Sequence, residues 1–343
     1  MTRVFGWDLG GANVKLARID GGRVVHVAQL PCPIIPERRK FYEAIVSALP
    51  LISSPALHAV TMTGELSDVF KDRAEGVTYL VELMQRITAG QRLRVYAGRS
   101  GFLAPADAKS RTLEVASANW HSCAGLIARR HADALLVDVG TTTTDLIPIG
   151  DGAVAARGAT DAERMTEGEL LYTGVVRTPV MAVTQTAPFG ERMQGIAAER
   201  FATMADVWRL TGDLPGDADP YPTADQRGKS ARESAARLAR MLGRDESEGA
   251  LGEWVALARY FADCQLGGIE AAARALLARE GLPPEAPVVG AGCGRFVAKA
   301  LADTLGRQYL DFAEIIDAAP EAREMTARCA PAVAVALLAA TEE

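Results

Sequence analysis

The chain contains one motif twice. Residues 8–25 read DLGGANVKLARIDGGRVV, and residues 138–155 read DVGTTTTDLIPIGDGAVA. With the first Asp of each aligned, Asp8 falls on Asp138, Gly10 on Gly140, Gly22 on Gly152 and Val24 on Val154, without a gap. Each copy is an apolar run ending in Asp, a small-residue turn, a second run, a Gly-containing turn and a third run. A duplicated strand–turn–strand with an acidic residue at its mouth implies two facing lobes that grip something phosphorylated.

The segments around the copies support an α/β chain. Val4–Trp7, Val14–Ile19 and Arg23–Leu30 read as strands joined by Gly-rich turns. Glu37–Ala48 has helical spacing, with Phe41, Ile45 and Leu49 on one face. His58–Thr63 reads as a strand, Glu75–Ile87 as a helix and Leu93–Ala97 as a strand. Residues 112–131 predict one helix that crosses to the next unit. There the order restarts with strands at Ala134–Val139, Thr144–Ile149 and Ala153–Arg157. Residues 247–279 predict two consecutive helices broken near Gly267 and Gly268. Ala286–Gly290 and Tyr309–Phe312 read as strands around a helix at Phe296–Leu305, and Glu321–Ala339 as the last helix. The domain boundaries that follow are 1–111 plus 321–343 for the first lobe and 112–320 for the second. An insertion over about 160–245 fits neither copy; it holds GDLPGDADPYPTAD and a basic helical stretch, Ser230–Leu242. It reads either as a substrate element or as a long surface excursion.

The turns carry the chemistry. Gly10 and Gly11 leave no side chain in the way of a ligand, and backbone N–H groups in such a turn can point at phosphate oxygens. Gly10, Gly11 and Asn13 are the binding candidates of this turn. A strand follows, whereas in a Rossmann or P-loop site the glycines open a helix. The pattern therefore favours a phosphate-binding hairpin. In the second copy Gly140 leads into Thr141, Thr142, Thr143 and Thr144, a dense array of hydroxyls and amides. Asp145 takes the place that Lys15 holds in the first copy, so one lobe offers a cation and the other a carboxylate. Around a polyphosphate with Mg2+, Lys15 meets phosphate oxygens while Asp8, Asp138 or Asp145 hold the metal or its waters. Asp8 and Asp138 are the metal candidates; Asp8, Lys15, Asp145 and Glu65 are the catalytic candidates.

Other motifs are weaker. VVGAGCGRF supplies Gly290, Gly292 and Gly294 between a strand and a helix, either as a ligand turn or as a tight connection. GKS at Gly228–Ser230 is not a P-loop, because the required glycine at position 223 is Thr223; Asp225 and Lys229 still sit in a polar loop entering a helix, where an anion can bind. TMTGEL places Glu65 at the carboxyl end of a strand, as a base, a ligand to metal-bound water or a helix N-terminal acid. SANW places Trp120 to stack on a flat substrate or to pack in the core. YTGVVRTPV places Arg177 to clamp a phosphate or carboxylate.

Composition narrows the partners. A length of 343 residues favours two domains, and a net charge of −6 argues against a nucleic-acid binder. The five cysteines include no CxxC pair and read as reduced thiols of a cytoplasmic protein. His121 and Cys123 are close in sequence but lack a second close pair for a metal. The N-terminus shows no signal peptide, and the apolar Cys329–Ala340 tail is too short to span a bilayer. The oligomeric state is open, a homo-oligomer included.

The paired DLGG and DVGTTTTD motifs resemble the acetate/sugar kinase, heat-shock ATPase and actin superfamily, which implies two RNase H-like lobes in an actin-like ATPase fold with an interdomain cleft. The set GWDLGGANVK, TMTGEL, SANW, DVGTTTTDLIPI and YTGVVRTPV resembles, more narrowly, the methanofuran-biosynthesis synthases related to the hydantoinase/oxoprolinase family. That resemblance implies an alkyl transfer: the phenol oxygen of γ-glutamyltyramine, or of a tyrosine or tyramine analogue, attacks an aminomethylfuran-methyl diphosphate, and diphosphate leaves. It implies small-molecule partners, Mg2+ and no organic cofactor. The competing expectations are an ATP-dependent small-molecule kinase on the same fold and a non-catalytic ligand-binding regulator.

Overall fold

A computed structural model of the chain describes residues 3–32, 37–52 and 55–342. Its strands and helices, in chain order, begin with the hairpin meander β1 (Arg3–Leu9), β2 (Asn13–Asp20) and β3 (Arg23–Pro31), then α1 (Arg39–Ser47), β4 (Leu57–Met62), α2 (Arg73–Ile87), β5 (Arg92–Tyr96) and β6 (Phe102–Leu103). Three short helices follow: α3 (Pro105–Ser110), α4 (Thr112–Val115) and α5 (Asn119–Ala128). The meander then recurs as β7 (Ala134–Val139), β8 (Thr144–Gly150) and β9 (Ala153–Val154), followed by α6 (Asp161–Thr166) and β10 (Leu170–Leu171). A hairpin, β11 (Thr186–Phe189) and β12 (Arg192–Gly195), precedes α7 (Met204–Thr211), α8 (Ala231–Met241) and α9 (Leu251–Glu280). The chain ends with β13 (Val288–Ala291), α10 (Arg295–Leu305), β14 (Tyr309–Asp311), α11 (Arg323–Arg328) and α12 (Ala330–Ala340).

The chain divides into two compact units, one of residues 1–136, 147–167 and 310–343, the other of residues 137–146 and 168–309. In the first, the sheet order is β3-β2-β1-β4-β5-β6. The meander strands are antiparallel, while β1–β4 and β4–β5 are parallel. This is the order expected of an RNase H-like lobe. Strand alternation sends Phe5, Trp7 and Leu9 into a core with Phe41 of α1 and Leu80 and Met84 of α2. Each such side chain stabilises the fold by about 1.5–3 kcal/mol when fully buried. The opposite face carries Gly6 and Asp8. A Cβ at Gly6 would lie 2.0 Å from Ala332 O, so the glycine lets α12 lie directly on the sheet.

The second sheet runs β10-β8-β7-β13-β14, with β9 paired to β8. The second unit adds α7, α8 and α9 beyond its strands. Ser230 caps α8, and its N–H donates in turn to Glu233 Oε2 at 2.9 Å.

Several expectations need correction. Residues 112–131 are two helices, α4 and α5, because Ser117 adopts a left-handed φ of 52° between them. Residues 247–279 are not broken at Gly267 and Gly268; α9 is one helix of 30 residues. The last helix is two, α11 and α12, and Pro331 lies in the first turn of α12, where its missing N–H is not needed. Leu49 is not on the buried face of α1; Pro50 closes the helix into a short 3-10 turn and Leu49 is exposed. As expected, the five cysteines form no disulfide with one another.

Candidate active site

In the first copy the turn closes on itself: Gly10 N–H donates to Asn13 O at 3.1 Å. The antiparallel register places Lys15 opposite Asp8, and the parallel register places Thr61 of β4 beside Asp8. Lys15 Nζ donates to Asp8 Oδ2 at 3.0 Å. Asp8 is 1% exposed. Its other oxygen, Oδ1, is buried with no partner among the described residues, as are Asn13 Oδ1 and Thr61 Oγ1. Buried acceptors of this kind are costly to leave unmet. By the strand registers they share the Asp8 face, so one patch of sheet offers a half-neutralised carboxylate and further oxygens beside an ammonium.

Glu65 lies just beyond the carboxyl end of β4. The turn Gly64–Leu66 is seated by two glycines: a Cβ at Gly64 would meet Leu9 O at 2.8 Å, and one at Gly76 of α2 would meet Glu65 O at 2.6 Å. Glu65 is buried, and its Oε1 accepts from Ser117 N–H at 2.9 Å and Ser117 Oγ at 3.1 Å. Oε2 has no partner among the described residues. Burial pushes the Glu65 carboxyl up to about 7, against the hydrogen bonds that favour its charged form; the charge of Asp161 adds to the rise. Trp120 is buried with the Arg164 guanidinium 4.2 Å from its ring centroid, and its indole N–H has no partner among the described residues. Gly158 makes room for this, since a Cβ there would lie 2.6 Å from Arg164 N.

The second copy repeats the turn. Gly140 N–H donates to Thr143 O at 2.9 Å, the same bond as in the first. The segment YTGVVRT is laid along it: Val175 N–H donates to Gly140 O at 3.1 Å and Arg177 N–H to Thr141 O at 2.8 Å. A Cβ at Gly174 would lie 2.5 Å from Thr142 N. Gln265 of α9 holds this segment, donating to Thr173 Oγ1 at 2.7 Å and Gly174 O at 3.0 Å. The third glycine cluster arrives at the same place. Gly292 has φ 85°, and a Cβ on it would lie 2.4 Å from Asp138 Oδ1. Gly294 N–H donates to Val139 O at 2.8 Å, whereas Gly290 is packed under the Tyr309 ring.

The structure thus brings Asp8, Gly10, Asn13 and Lys15 together, and separately Asp138, Gly140, Thr141, Thr142, Thr143, Gly292 and Gly294. Gly11 and Asp145 lie in the turn and strand of their own copies. Arg177 contributes its backbone to the second turn while its side chain is exposed. Asp225 and Lys229 belong to an ion-pair network. Arg237, fully buried, bonds Asp225 at 3.0 Å and Asp206 at 2.7 Å, and Lys229 pairs with Asp219 at 3.3 Å. Burial works to raise the Asp225 carboxyl, but bonds from Arg227 N–H and Thr223, with Arg237 beside it, hold it below the usual range. His121 is held by Tyr96 OH at 2.8 Å. Sequence reasoning missed Thr61, Ser117, Asp161 and Arg164. Ser117 and Thr61 lie inside motifs already noted, and nothing local marks Asp161 or Arg164.

The family model for hydantoinase/oxoprolinase matches residues 56–341. The chain belongs to the hydantoinase/oxoprolinase family. Within it, this family member is 30% identical over 240 residues to the (4-{4-[2-(gamma-L-glutamylamino)ethyl]phenoxymethyl}furan-2-yl)methanamine synthase of Methanocaldococcus jannaschii, covering 70% of this chain and 71% of that one. The synthase of the same name from Methanococcus vannielii is 34% identical over 110 residues, covering 32% of this chain and 49% of that one. Among solved structures, nucleotide-free acetone carboxylase shares the fold with a TM-score of 0.56 at 9% identity, over 89% of this chain and 67% of that one. No helix among the described residues is long and apolar enough to cross a membrane.

Proposed function

We propose that this protein is a synthase of methanofuran biosynthesis that joins the phenol oxygen of γ-glutamyltyramine, or a close analogue, to the methylene of an aminomethylfuran-methyl diphosphate, releasing diphosphate. The observation that carries this is the 30% identity over 70% of the chain to a synthase whose name describes that aryl ether. The partners are small molecules, and we place the reaction in the cytoplasm, without nucleic acid or membrane.

The chemistry suits the residues. A furfuryl carbon parts readily with a leaving group because the ring oxygen donates into the developing cation. The protein's main task is then to stabilise charge on the departing diphosphate. Lys15 and the amides of Gly10 and Gly11 are the donors we assign to it from the first copy, and the second copy offers the equivalent amides and hydroxyls of Thr141, Thr142 and Thr143. Among the described residues no three His, Cys, Asp or Glu side chains cluster as a metal cage. Mg2+ commonly uses one or two carboxylates and takes its remaining ligands from phosphate and water, and the unmet Oδ1 of Asp8 fits that role. Asp138 is the corresponding candidate in the second copy. When bound, Mg2+ would supply charge neutralisation on the leaving group. The phenol, with a free pKa of about 10, needs a carboxylate to take its proton; Asp8, Glu65 and Asp145 are the candidates.

The test is direct. Purified protein given the furan-methyl diphosphate, γ-glutamyltyramine and Mg2+ is expected to form the aryl ether and free diphosphate in equal amounts. Without the phenol, diphosphate release should stop. A folded protein that makes no ether with either γ-glutamyltyramine or its tyrosine and tyramine analogues ends this reading.

A further inference from the structure

Glu65 is held differently from the other candidate carboxylates. Asp8 commits Oδ2 to the Lys15 ammonium, so a proton arriving there would be taken at the expense of an ion pair. Asp145 is only partly buried. Glu65 is 1% exposed and meets no cation in its hydrogen bonds among the described residues; one oxygen is clamped and the other has no donor among the described residues. The clamp comes from a residue in an unfavourable backbone region. Ser117, at φ 52°, is one of few non-glycine residues here in the left-handed region, and that conformation ends α4 and aims both its N–H and its Oγ at Glu65 Oε1. The same hydroxyl is 3.5 Å from Asp161 Oδ2, which Arg73 Nη2 approaches at 3.6 Å.

We infer that Glu65 takes the phenolic proton through Oε2, and that Ser117 and Asp161 are positioning residues that set its orientation and its readiness to accept. This rests on the synthase reading above. In the step, a lone pair of the phenol oxygen forms the bond to the furfuryl methylene and its proton passes to Glu65. The bond from that methylene to the diphosphate oxygen breaks, and its electron pair leaves with diphosphate. Glu65 then returns the proton to water.

Charged groups on the surrounding elements are few. The first turn of α2, beside Glu65, carries Arg73 and Glu75, the latter paired with Arg38 at 2.7 Å, while Glu82 and Arg86 lie further along the helix. On α6 they are Asp161, Glu163, which accepts from Thr160 N–H at 3.0 Å, and Arg164, over the Trp120 ring. Beside the turn, β1 carries Asp8, paired with Lys15, and α1 presents the Phe41 ring. Of these, Asp161 bears on Glu65 through its charge, which works to raise the Glu65 carboxyl. A base must be ionised to act, so the activity should fall as pH drops through about 7, the value to which burial raises Glu65.

The experiment is the pH profile of kcat/KM for ether formation in the wild-type protein and three variants. Glu65→Gln is expected to lose about 10²-fold or more. Ser117→Gly keeps the left-handed backbone and its N–H bond but removes the hydroxyl that favours the charged carboxylate. Its acid limb should move up by roughly half a pH unit. Asp161→Asn removes a like charge, and its limb should move down by a similar, roughly half-unit amount. Opposite shifts are not what loosened packing would give. Limbs that stay put or move together, or a Glu65→Gln protein with wild-type rates, overturn the inference while leaving the synthase reading intact; a wild-type protein that makes no ether overturns both. Carbon-13 NMR of labelled glutamate carboxyls in the wild-type protein gives a readout without turnover: one should titrate near 7. None titrating above the ordinary carboxylate range overturns the inference even if the variants do not fold.

Discussion

Lys15 and Asp8 depend on each other more than a surface ion pair would. Asp8 is 1% exposed and its contact with Lys15 Nζ is 3.0 Å, so removing the ammonium leaves a buried carboxylate with neither oxygen neutralised. Lys15→Ala should therefore lose turnover by about 10²-fold, the scale of a lost electrostatic stabiliser, and also stability, by about 2–3 kcal/mol in a denaturant melt. Adding Asp8→Asn should restore much of the stability and none of the turnover. A Lys15→Ala protein with wild-type kinetics would remove Lys15 from the site. At this scale the sequence was informative where chemistry is local. Asp8, Gly10, Asn13 and Lys15 come together because a hairpin turn joins them, and Gly140 to Thr143 for the same reason. Glu65 was legible as a strand-end acid, but its partners were not. Ser117 reaches it through a left-handed kink 52 residues away in the chain, and Asp161 arrives on α6 from further still. No spacing rule connects positions that only the folded chain makes neighbours.

Elements were legible where the pattern repeats and illegible where a single residue decides. The meander of β1 to β3 and its recurrence in β7 to β9 follow from the aligned motifs, because each turn is built by the same backbone bond, Gly10 to Asn13 and Gly140 to Thr143. The division at Ser117 was missed because serine carries no mark of positive φ. The reverse holds in α9. Two adjacent glycines suggest a break by sequence, yet Gly267 and Gly268 are helical and exposed, with nothing within 4 Å of either added Cβ. The helix runs through them because flanking residues are anchored: Phe261, Ile269 and Ala273 are fully buried, and Gln265 is tied to Trp208 at 2.8 Å and to the 173–174 segment. Packing outweighs a propensity cost of roughly 1 kcal/mol per glycine. Gly267→Ala and Gly268→Ala should each raise stability, by about 0.5–1 kcal/mol, and the two together should raise the melting temperature without changing turnover. A fall in stability would mean that the α9 glycines sit against something the isolated chain does not contain.

For the molecule as a whole, the fold alone does not choose between a diphosphate and a nucleotide. Acetone carboxylase shares the architecture at a TM-score of 0.56, and at 9% identity that likeness carries no ligand with it. The discriminating quantity is what an adenosine adds to a phosphate chain. A ligand that binds only the folded state stabilises it by RT ln(1 + [L]/Kd), about 2.7 kcal/mol at a hundredfold excess over Kd. If the duplicated turns recognise phosphate oxygens and the organic end of the substrate is a furan, inorganic diphosphate with Mg2+ should raise the melting temperature. Inorganic triphosphate and ATP should then raise it by equal amounts at equal concentration, since both offer the same phosphate chain. A kinase of this fold would bind the purine as well, and ATP would stabilise it well beyond triphosphate. Thermal melts across a concentration series of the three ligands separate these cases without any turnover. A clear excess for ATP would shift the assignment to a nucleotide-dependent enzyme, because apolar and hydrogen-bonding contacts to an adenosine have no counterpart in a reaction whose only phosphorylated partner is an aminomethylfuran-methyl diphosphate.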